Sequence, residues 1–148
     1  MHFVDAKSIL SAKNGMNIYR GCTHGCIYCD SRSDCYNMRH DFEDVEVKRN
    51  APELLEKALA SKRRLCMIGT GAMSDPYMHC EEKLRLTRRC LEVINRLGFG
   101  VTVLTKSDMI LRDADLLCSI NSKAKAVVQM TLTTYDEDLC RILEPNVC

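Results

Sequence analysis

Three closely spaced cysteines form the pattern in this sequence that is best suited to chemistry. Cys22, Cys26 and Cys29 follow the spacing C-x3-C-x2-C, and Gly25 lies between the first two. Thiolates this close together can hold three corners of a cubane iron–sulfur cluster, and the glycine lets the loop curl. The motif supplies no fourth protein ligand. The spacing therefore favours a cluster with one iron open to a further ligand.

Other uses of these thiols stay open at this point. A zinc site would recruit Cys35 or His40 as the fourth ligand, although structural zinc sites usually combine two ligand pairs that lie well apart. A closed electron-transfer cluster would take Cys35 as its fourth ligand. A thioredoxin-like use of Cys26 and Cys29 would leave Cys22 without a role.

The composition bounds the class of protein. The chain has 148 residues, of which 46% are hydrophobic, and this length predicts one domain over residues 1–148. No stretch approaches the ~20 apolar residues that cross a bilayer, and the N-terminus lacks the apolar region of a secretory signal. We therefore expect a cytoplasmic protein without a membrane partner. A net charge of +1 gives no support to a nucleic-acid partner.

The ten cysteines are many for a chain of this length. In a reducing compartment they indicate metal binding or catalysis rather than disulfides. Four cysteines outside the C-x3-C-x2-C motif lie inside apolar runs and are predicted to be small buried hydrophobic side chains: Cys66, Cys90, Cys118 and Cys140.

Strand-like and helix-like segments alternate along the chain. The predicted strands span residues 16–20, 65–68, 101–105 and 126–132. The first predicted helix is capped by Asn50, with Pro52 and Glu53 in its first turn. The later helices are predicted over residues 81–97, over 113–120, and from a capping box of Thr134 and Glu137 to Leu143. Residues 30–50 show no clear period and are predicted to form an extended loop.

This alternation predicts an α/β fold with a parallel sheet and right-handed crossovers. Such sheets bind ligands at the carboxyl ends of their strands, where the loops 22–29, 69–77, 105–108 and 133–135 lie. Four βα units are too few to close a barrel, and the fourth strand would be an exposed edge. We therefore expect a fragment or a truncated gene product, with a complete four-stranded α/β domain as the alternative.

Four segments carry a resemblance to a known family: residues 17–29, 69–77, 104–107 and 143–146. The first resembles the signature of the radical S-adenosylmethionine (SAM) superfamily, in which an aromatic residue, here Tyr28, precedes the last cysteine. Together the four resemble the branch that contains spore photoproduct lyase and the DNA repair photolyase-like proteins. The resemblance implies a partial radical SAM barrel with about four βα units of the usual six.

The resemblance also implies cofactors and a reaction. Cys22, Cys26 and Cys29 would ligate a [4Fe–4S] cluster whose open iron is chelated by SAM. One electron, from a donor such as flavodoxin or ferredoxin, would cleave SAM to a 5′-deoxyadenosyl radical that abstracts hydrogen from an unknown substrate. The alternative function is a non-catalytic fragment that binds a cluster or zinc, or a zinc-binding nucleic-acid module.

The family pattern implies further contacts to SAM. In this branch the loop after the second strand approaches the methionyl part of SAM, and a lysine after the third strand contacts its carboxylate. The residues implied to contact the cofactor are Tyr28, Gly69, Gly71, Ser74, Asp75, Lys106 and Thr131. From the sequence alone, Ser74 and Asp75 are also consistent with a helix cap or turn, and Lys106 with a solvated surface lysine.

Two features depart from the family pattern. Ala72 stands where spore photoproduct lyases carry the cysteine that returns a hydrogen atom to the product radical, and Cys80 lies eight residues further on. A lyase reaction on spore thymine lesions is therefore not expected. The two βα units that help to bind adenine are missing, and Cys148 stands where the pattern tends to have proline. Both fit a sequence that is cut or altered at its end.

Overall fold

The computed structural model describes residues 1–147, in which strands and helices alternate. The strands are β1 (His2–Val4), β2 (Gly15–Met16), β3 (Tyr19–Arg20), β4 (Glu46–Lys48), β5 (Met67–Thr70), β6 (Gly100–Thr105) and β7 (Ala126–Met130). The helices are α1 (Ala51–Ala60), α2 (Glu81–Leu84), α3 (Leu86–Leu97), α4 (Ala114–Lys123) and α5 (Glu137–Leu143). Short 3₁₀ turns lie at Asp30–Arg32, Asp34–Tyr36 and Asp108–Asp113. Cys148, where the family pattern tends to have proline, lies outside the described residues.

Four strands form one parallel sheet in the order β2-β5-β6-β7, which confirms the predicted α/β fold. Each strand lies beside the one that precedes it in this sheet, and α1, α3 and α4 lie in the connections between them. Because α3 contacts both α1 and α4, the three helices lie side by side. Right-handed crossovers of this kind place the helices on one face of the sheet, as in part of a βα barrel.

The core lies between this sheet and its helices. Ile68 of β5 and both Val101 and Val103 of β6 are fully buried. Leu91 and Ile94, which share one face of α3, are fully buried as well. Burial of each such side chain stabilises the fold by roughly 2 kcal/mol. The core therefore fixes the strand ends that carry the loops of the site.

β7 is the outer strand of the described sheet. Its side chains Val128 and Met130 are 44% and 53% exposed, as expected for the edge of a four-stranded sheet. Among residues 1–147, no helix combines the length and the apolar character needed to cross a membrane.

A second, three-stranded sheet is absent from the sequence prediction. It has the order β1-β4-β3, with β1 parallel and β3 antiparallel to β4. The predicted strand over residues 16–20 divides into β2 and β3, which belong to different sheets. The predicted loop 30–50 contains β4 and two 3₁₀ turns. Strands of two or three residues are too short to produce a recognisable period in the sequence, which explains why they were missed.

The long helix predicted over residues 81–97 is in fact two helices. Arg85 has a left-handed backbone, with φ 50°, and separates α2 from α3. The buried Glu81 carboxylate accepts a hydrogen bond from the Thr87 N–H at 2.8 Å and so satisfies a backbone donor in the first turn of α3. The Arg112 guanidinium lies 3.3 Å from the same carboxylate. This buried network accounts for the break, and no local sequence pattern reveals it.

One predicted helix cap is confirmed in position only, and another is wrong. Asn50 is the N-cap residue of α1, with Pro52 and Glu53 in the first turn as predicted. The side chain of Asn50 makes no capping bond to α1; it bonds the backbone of Ala6 instead, accepting at 3.0 Å and donating at 2.9 Å. Asp136, rather than Thr134, caps α5, because its carboxylate accepts the Leu139 N–H at 3.0 Å. The Thr134 hydroxyl accepts the Asp136 N–H at 3.1 Å. Short polar side chains often find such competing backbone partners.

The four thiols predicted to be buried differ in exposure. Cys90 is fully buried, and burial raises the pKa of its thiol. Cys66 and Cys140 are only half-buried. Cys118 is exposed on α4, so its predicted burial is wrong. The apolar run around Cys118 faces the core through other residues, among them the fully buried Ile120.

Candidate cofactor site

A cavity of about 180 Å³ lies where the cysteine loop meets the loops that follow β5 and β6. Its lining contains every residue predicted to bind the cluster or SAM except Gly69, namely Cys22, Cys26, Tyr28, Cys29, Gly71, Ser74, Asp75, Lys106 and Thr131. Gly69 lies inside β5, in register with Gly15 and Thr102 of the neighbouring strands. Residues distant in sequence therefore meet at the carboxyl ends of the parallel strands.

The cysteine loop contributes three thiols to this cavity, and none of them is in a disulfide. Cys26 is buried, whereas Cys22 and Cys29 are half-buried. Burial raises the pKa of the Cys22 and Cys26 thiols, so both are protonated at neutral pH in the metal-free chain. Because thiolates are the ligand form, a bound cluster would displace these protons.

Backbone contacts shape the entry to the cysteine loop. The Cys22 N–H donates to the Phe42 carbonyl at 3.1 Å, and the Cys29 N–H donates to the Cys26 carbonyl at 3.3 Å. Gly21 has a φ of +91°, and a Cβ at this position would overlap the Phe42 oxygen. Only glycine fits this turn into the first cysteine.

The turn that follows α5 closes over the cysteine loop. The Leu143 carbonyl accepts the Ile27 N–H at 3.0 Å, and the Asn146 N–H donates to the His24 carbonyl at 3.1 Å. The side-chain amide of Asn146 also donates to the Thr23 carbonyl, at 3.0 Å. These bonds tie the cluster motif to a segment more than a hundred residues away, a role that the sequence analysis misses.

Glu144 in the same turn is a buried carboxylate at the cavity, and the sequence analysis misses it too. It accepts hydrogen bonds from the Lys106 ammonium at 2.5 Å and from the Thr133 hydroxyl at 2.6 Å. The Tyr28 hydroxyl donates to Glu144 as well, and it accepts a bond from Lys106 at 2.7 Å. We call these four side chains the Glu144 cluster.

The Glu144 cluster holds a charged pair in place. Burial would lower the pKa of Lys106, but hydrogen bonds to Glu144 and Tyr28 outweigh burial and raise that pKa. Burial would raise the pKa of Glu144, but its bonds to Lys106, Thr133 and Tyr28 lower that pKa instead. Both groups are therefore ionised at neutral pH, and the Lys106 ammonium stands at the cavity as a fixed positive charge.

Asp75 is buried and joins two loops of the site. Its carboxylate accepts hydrogen bonds from the Thr105 hydroxyl at 2.6 Å and from the Lys106 N–H at 2.8 Å. It also accepts the Tyr77 N–H at 2.8 Å. All three donors belong to the protein. The carboxylate therefore anchors the loop after β5 to the end of β6. It also lines the cavity, and its direct contact with SAM stays a prediction.

His24 is buried inside the cysteine loop and lines the cavity. Its Nδ1 lies 3.6 Å from a carboxylate oxygen of Asp75. Its ring meets the ring of His79 edge-on, with centroids 5.7 Å apart. Burial lowers the pKa of His24 more than the Asp75 carboxylate raises it, so the imidazole is mainly neutral at neutral pH.

Comparisons with known proteins now identify the family. The sequence profile of the radical SAM superfamily matches residues 16–147. The chain belongs to the radical SAM superfamily. An uncharacterized protein of Methanocaldococcus jannaschii is 33% identical over 144 residues, which cover 96% of this chain and 52% of the relative. An uncharacterized protein of Mycobacterium tuberculosis is 29% identical over 137 residues, which cover 87% of this chain and 40% of the relative.

A third similar protein, an uncharacterized protein of Acidianus two-tailed virus, is 24% identical over 143 residues, which cover 88% of this chain and 46% of the relative. The chain thus spans about half the length of the curated relatives it matches. No solved structure shows a significant match. The names of these relatives give no support to the spore photoproduct lyase branch, so that branch stays a resemblance while superfamily membership is shown.

The cavity of this radical SAM domain presents a polar atom without a partner. The Ser74 hydroxyl oxygen is buried, and no described residue forms a hydrogen bond with it. An unsatisfied buried hydroxyl costs about 1–3 kcal/mol, so a polar ligand in the cavity would relieve it. Superfamily members usually bind a [4Fe–4S] cluster and SAM. Three thiols beside a free hydroxyl and a fixed ammonium suit that pair of cofactors.

Ser74→Ala is expected to weaken SAM binding about two- to tenfold without changing cluster content, because one neutral hydrogen bond contributes about 0.5–1.5 kcal/mol. Calorimetric titration of cluster-loaded protein with SAM measures this change. Ser119→Ala is the matched control, since Ser119 bonds Asn95 on the helical layer away from the cavity. If Ser74→Ala bound SAM with unchanged affinity, Ser74 would not contact SAM.

Proposed function

We propose that this chain binds a [4Fe–4S] cluster and SAM and, as a radical SAM enzyme, generates a 5′-deoxyadenosyl radical. The observation that carries the proposal is the grouping of three thiols with the unpaired Ser74 hydroxyl around one cavity. Cys22, Cys26 and Cys29 would be the cluster ligands. No fourth cysteine lines the cavity in the described part of the chain, which leaves one coordination position for SAM.

The other lining residues suit the polar groups of SAM. The compact ammonium of Lys106 would hold the SAM carboxylate, with its charge kept in place by Glu144. Ser74 would bond the methionyl part. Gly71, in the same loop, has a φ of +100°, and a Cβ there would overlap the Leu104 carbonyl, so only glycine lets this loop pack against the end of β6. Thr131 follows β7, where its N–H donates to the Thr105 carbonyl at 3.1 Å, and its hydroxyl would reach the ribose.

When bound, the reduced cluster supplies the single electron that cleaves SAM and leaves a radical able to abstract hydrogen from a substrate. The hydrogen bonds from the turn after α5 fix the cysteine loop, so a cluster held by that loop would have a fixed position for that step. Ile27 and Tyr28, beside the cluster motif, are 64% and 48% exposed. We propose this exposed side of the loop as the entry point for an electron from reduced flavodoxin or ferredoxin.

The resemblance to spore photoproduct lyase includes the residues that would bind the cluster and SAM. It does not include the cysteine that would return a hydrogen atom to the product radical. Ala72 lines the cavity where those lyases carry a cysteine. Cys80 lines a different cavity, of about 580 Å³, together with Thr23 and His79. Burial and the nearby Glu81 carboxylate raise the pKa of the Cys80 thiol to about 11. We therefore propose hydrogen abstraction from a substrate other than the spore lesion, without a thiol donor at these two positions.

Cleavage of SAM by the cluster-loaded chain tests the proposed function. We expect 5′-deoxyadenosine and methionine to form when the anaerobic protein is reduced with dithionite in the presence of SAM. Cys26→Ala should form neither product, whereas Cys118→Ala, which changes an exposed thiol outside the cavity, should match the wild type. A wild-type protein that holds a cluster yet forms no more 5′-deoxyadenosine than Cys26→Ala would contradict the proposal.

A further inference from the structure

A second cluster of metal-ligating side chains lies outside the cofactor cavity, on the three-stranded sheet. His2 and Glu46 are direct register partners on β1 and β4. His40 reaches the same place from the loop that precedes β4, and one ligand atom from each of the three side chains lies within 4.8 Å of the other two. This spacing suits one ion held by two imidazoles and a carboxylate.

The hydrogen bond of His40 shows which of its ring nitrogens is available to a metal ion. Its Nδ1 lies 3.0 Å from the Asp41 carbonyl, which can only accept, so Nδ1 carries the proton and donates. Its Nε2 is buried and has no hydrogen-bond partner among the described residues. The Glu46 Oε2 lies 3.9 Å from that Nε2, beyond hydrogen-bond distance. A buried lone pair beside a carboxylate is stabilised when a cation lies between them.

His2 has the complementary arrangement. Its Nδ1 lies 2.9 Å from a carboxylate oxygen of Asp44, so Nδ1–H donates to Asp44 and Nε2 is left to coordinate. The rings of His2 and His40 meet edge-on, with centroids 4.9 Å apart. Imidazole ligands of metals usually donate their other N–H to a carboxylate or a backbone carbonyl. His2 donates to the carboxylate of Asp44, and His40 donates to the backbone carbonyl of Asp41.

Glu46 lacks the basic partner that its position on the sheet would suggest. Arg20 on β3 is its register partner. The Arg20 guanidinium instead donates to the carbonyls of Tyr36 at 2.7 Å and Asn37 at 3.1 Å. No lysine or arginine of residues 1–147 forms an ion pair with the Glu46 carboxylate, and the His40 Nε2 lies 3.9 Å from it. Its negative charge is therefore available to a metal ion.

We propose that His2, His40 and Glu46 bind one zinc ion, with water at the fourth position. Two imidazoles and a carboxylate form a donor set that zinc uses elsewhere, and the 40% exposure of the His2 side chain gives the ion and its water access. Zinc would tie the loop of His40 to the small sheet. In that loop the Phe42 carbonyl holds the Cys22 N–H, so the ion would support the loop against which the first cluster cysteine packs.

Zinc binding by the full chain tests this site. The protein is first loaded with its iron–sulfur cluster, so that the thiols are occupied, and is then equilibrated with zinc alone and desalted. We expect one zinc per chain in the wild type and at least tenfold weaker binding in His40→Gln and Glu46→Gln. Asp44→Asn, which removes an outer partner, should weaken binding about 10–100-fold. Glu43→Gln removes the same charge from the same loop and should bind zinc as tightly as the wild type.

A variant without the cluster cysteines separates this site from the thiols and from the proposed function. The triple variant Cys22→Ala, Cys26→Ala and Cys29→Ala should still bind one zinc, and cobalt in its place should show no thiolate-to-cobalt charge-transfer band. Zinc retained at wild-type affinity by both His40→Gln and Glu46→Gln, or no zinc bound by the wild type, would overturn the site. Circular dichroism checks the fold of each variant, and His2→Gln replaces any variant that fails to fold.

Discussion

Cys22→Ala, Cys26→Ala and Cys29→Ala are each expected to abolish binding of the iron–sulfur cluster. The three thiols line one cavity, and a cubane cluster held at three corners has no protein ligand to spare. Iron and sulfide content after anaerobic reconstitution, together with visible absorbance, measures the loss. Because burial already raises the pKa of Cys22 and Cys26, the substitutions remove thiols that are neutral in the metal-free chain and should leave its fold intact.

Other cysteines serve as controls for this loss. Cys66→Ala and Cys118→Ala should keep the full cluster, because neither residue lines the cavity. Cys35 decides between an open and a closed cluster. It is exposed in the 3₁₀ turn Asp34–Tyr36 and does not line the cavity, so Cys35→Ala should also keep the cluster. If Cys35→Ala removed the cluster as completely as Cys29→Ala, the open-iron account would be wrong.

Glu144→Ala is expected to lower the free energy of unfolding of the metal-free chain by about 3 kcal/mol. Removing one partner of a buried ion pair leaves the other charge without compensation, and the Glu144 and Lys106 side chains are only 3% and 16% exposed. Urea denaturation measures the change. Glu144→Gln removes the charge but keeps one amide oxygen that can accept from Thr133 and Tyr28, so it should lose less of the free energy of unfolding.

An exposed ion pair provides the comparison for Glu144. Glu137 pairs with Arg141 on the surface of α5, with side chains 86% and 72% exposed, so Glu137→Ala should cost less than about 1 kcal/mol. Hydrogen bonds to Glu144 hold the pKa of its carboxyl below the ordinary value of 4.5. The contribution of the ionised carboxylate to the free energy of unfolding is therefore complete above pH 4.5, and it is lost as the pH falls through the lowered pKa. Equal losses for Glu144→Ala and Glu137→Ala at neutral pH would mean that the Glu144 cluster does not stabilise the fold.

Much of the site could be predicted from the sequence because the residues concerned lie close together in the chain. The cysteine motif occupies one short loop, and a buried strand stopped by small residues precedes the loop that contains Gly71 and Ser74. Parallel strands then bring loops at their carboxyl ends together, so the meeting of these segments with Lys106 requires only the order of the elements. The four-stranded parallel sheet was predictable for the same reason.

The rest depends on contacts between residues far apart in the chain. Glu144 bonds Tyr28 across 116 positions, and nothing near Glu144 in the sequence indicates that its carboxylate is buried. The only signal was the resemblance of residues 143–146 to the family pattern. The sequence predicts that Asp75 contacts SAM, but it does not show that two of its three donors, at Thr105 and Lys106, come from the end of β6. The small sheet has strands of two or three residues, and only tertiary packing specifies them.

We propose that three cysteines hold a cluster with an open iron that SAM reaches. EPR spectra of the reduced, cluster-loaded protein, recorded with and without SAM, test this proposal most directly. If SAM binds an open iron, the [4Fe–4S]⁺ signal should change shape when SAM is added. A signal that is the same with and without SAM would contradict the account, and so would a protein that takes up zinc at these cysteines and no cluster.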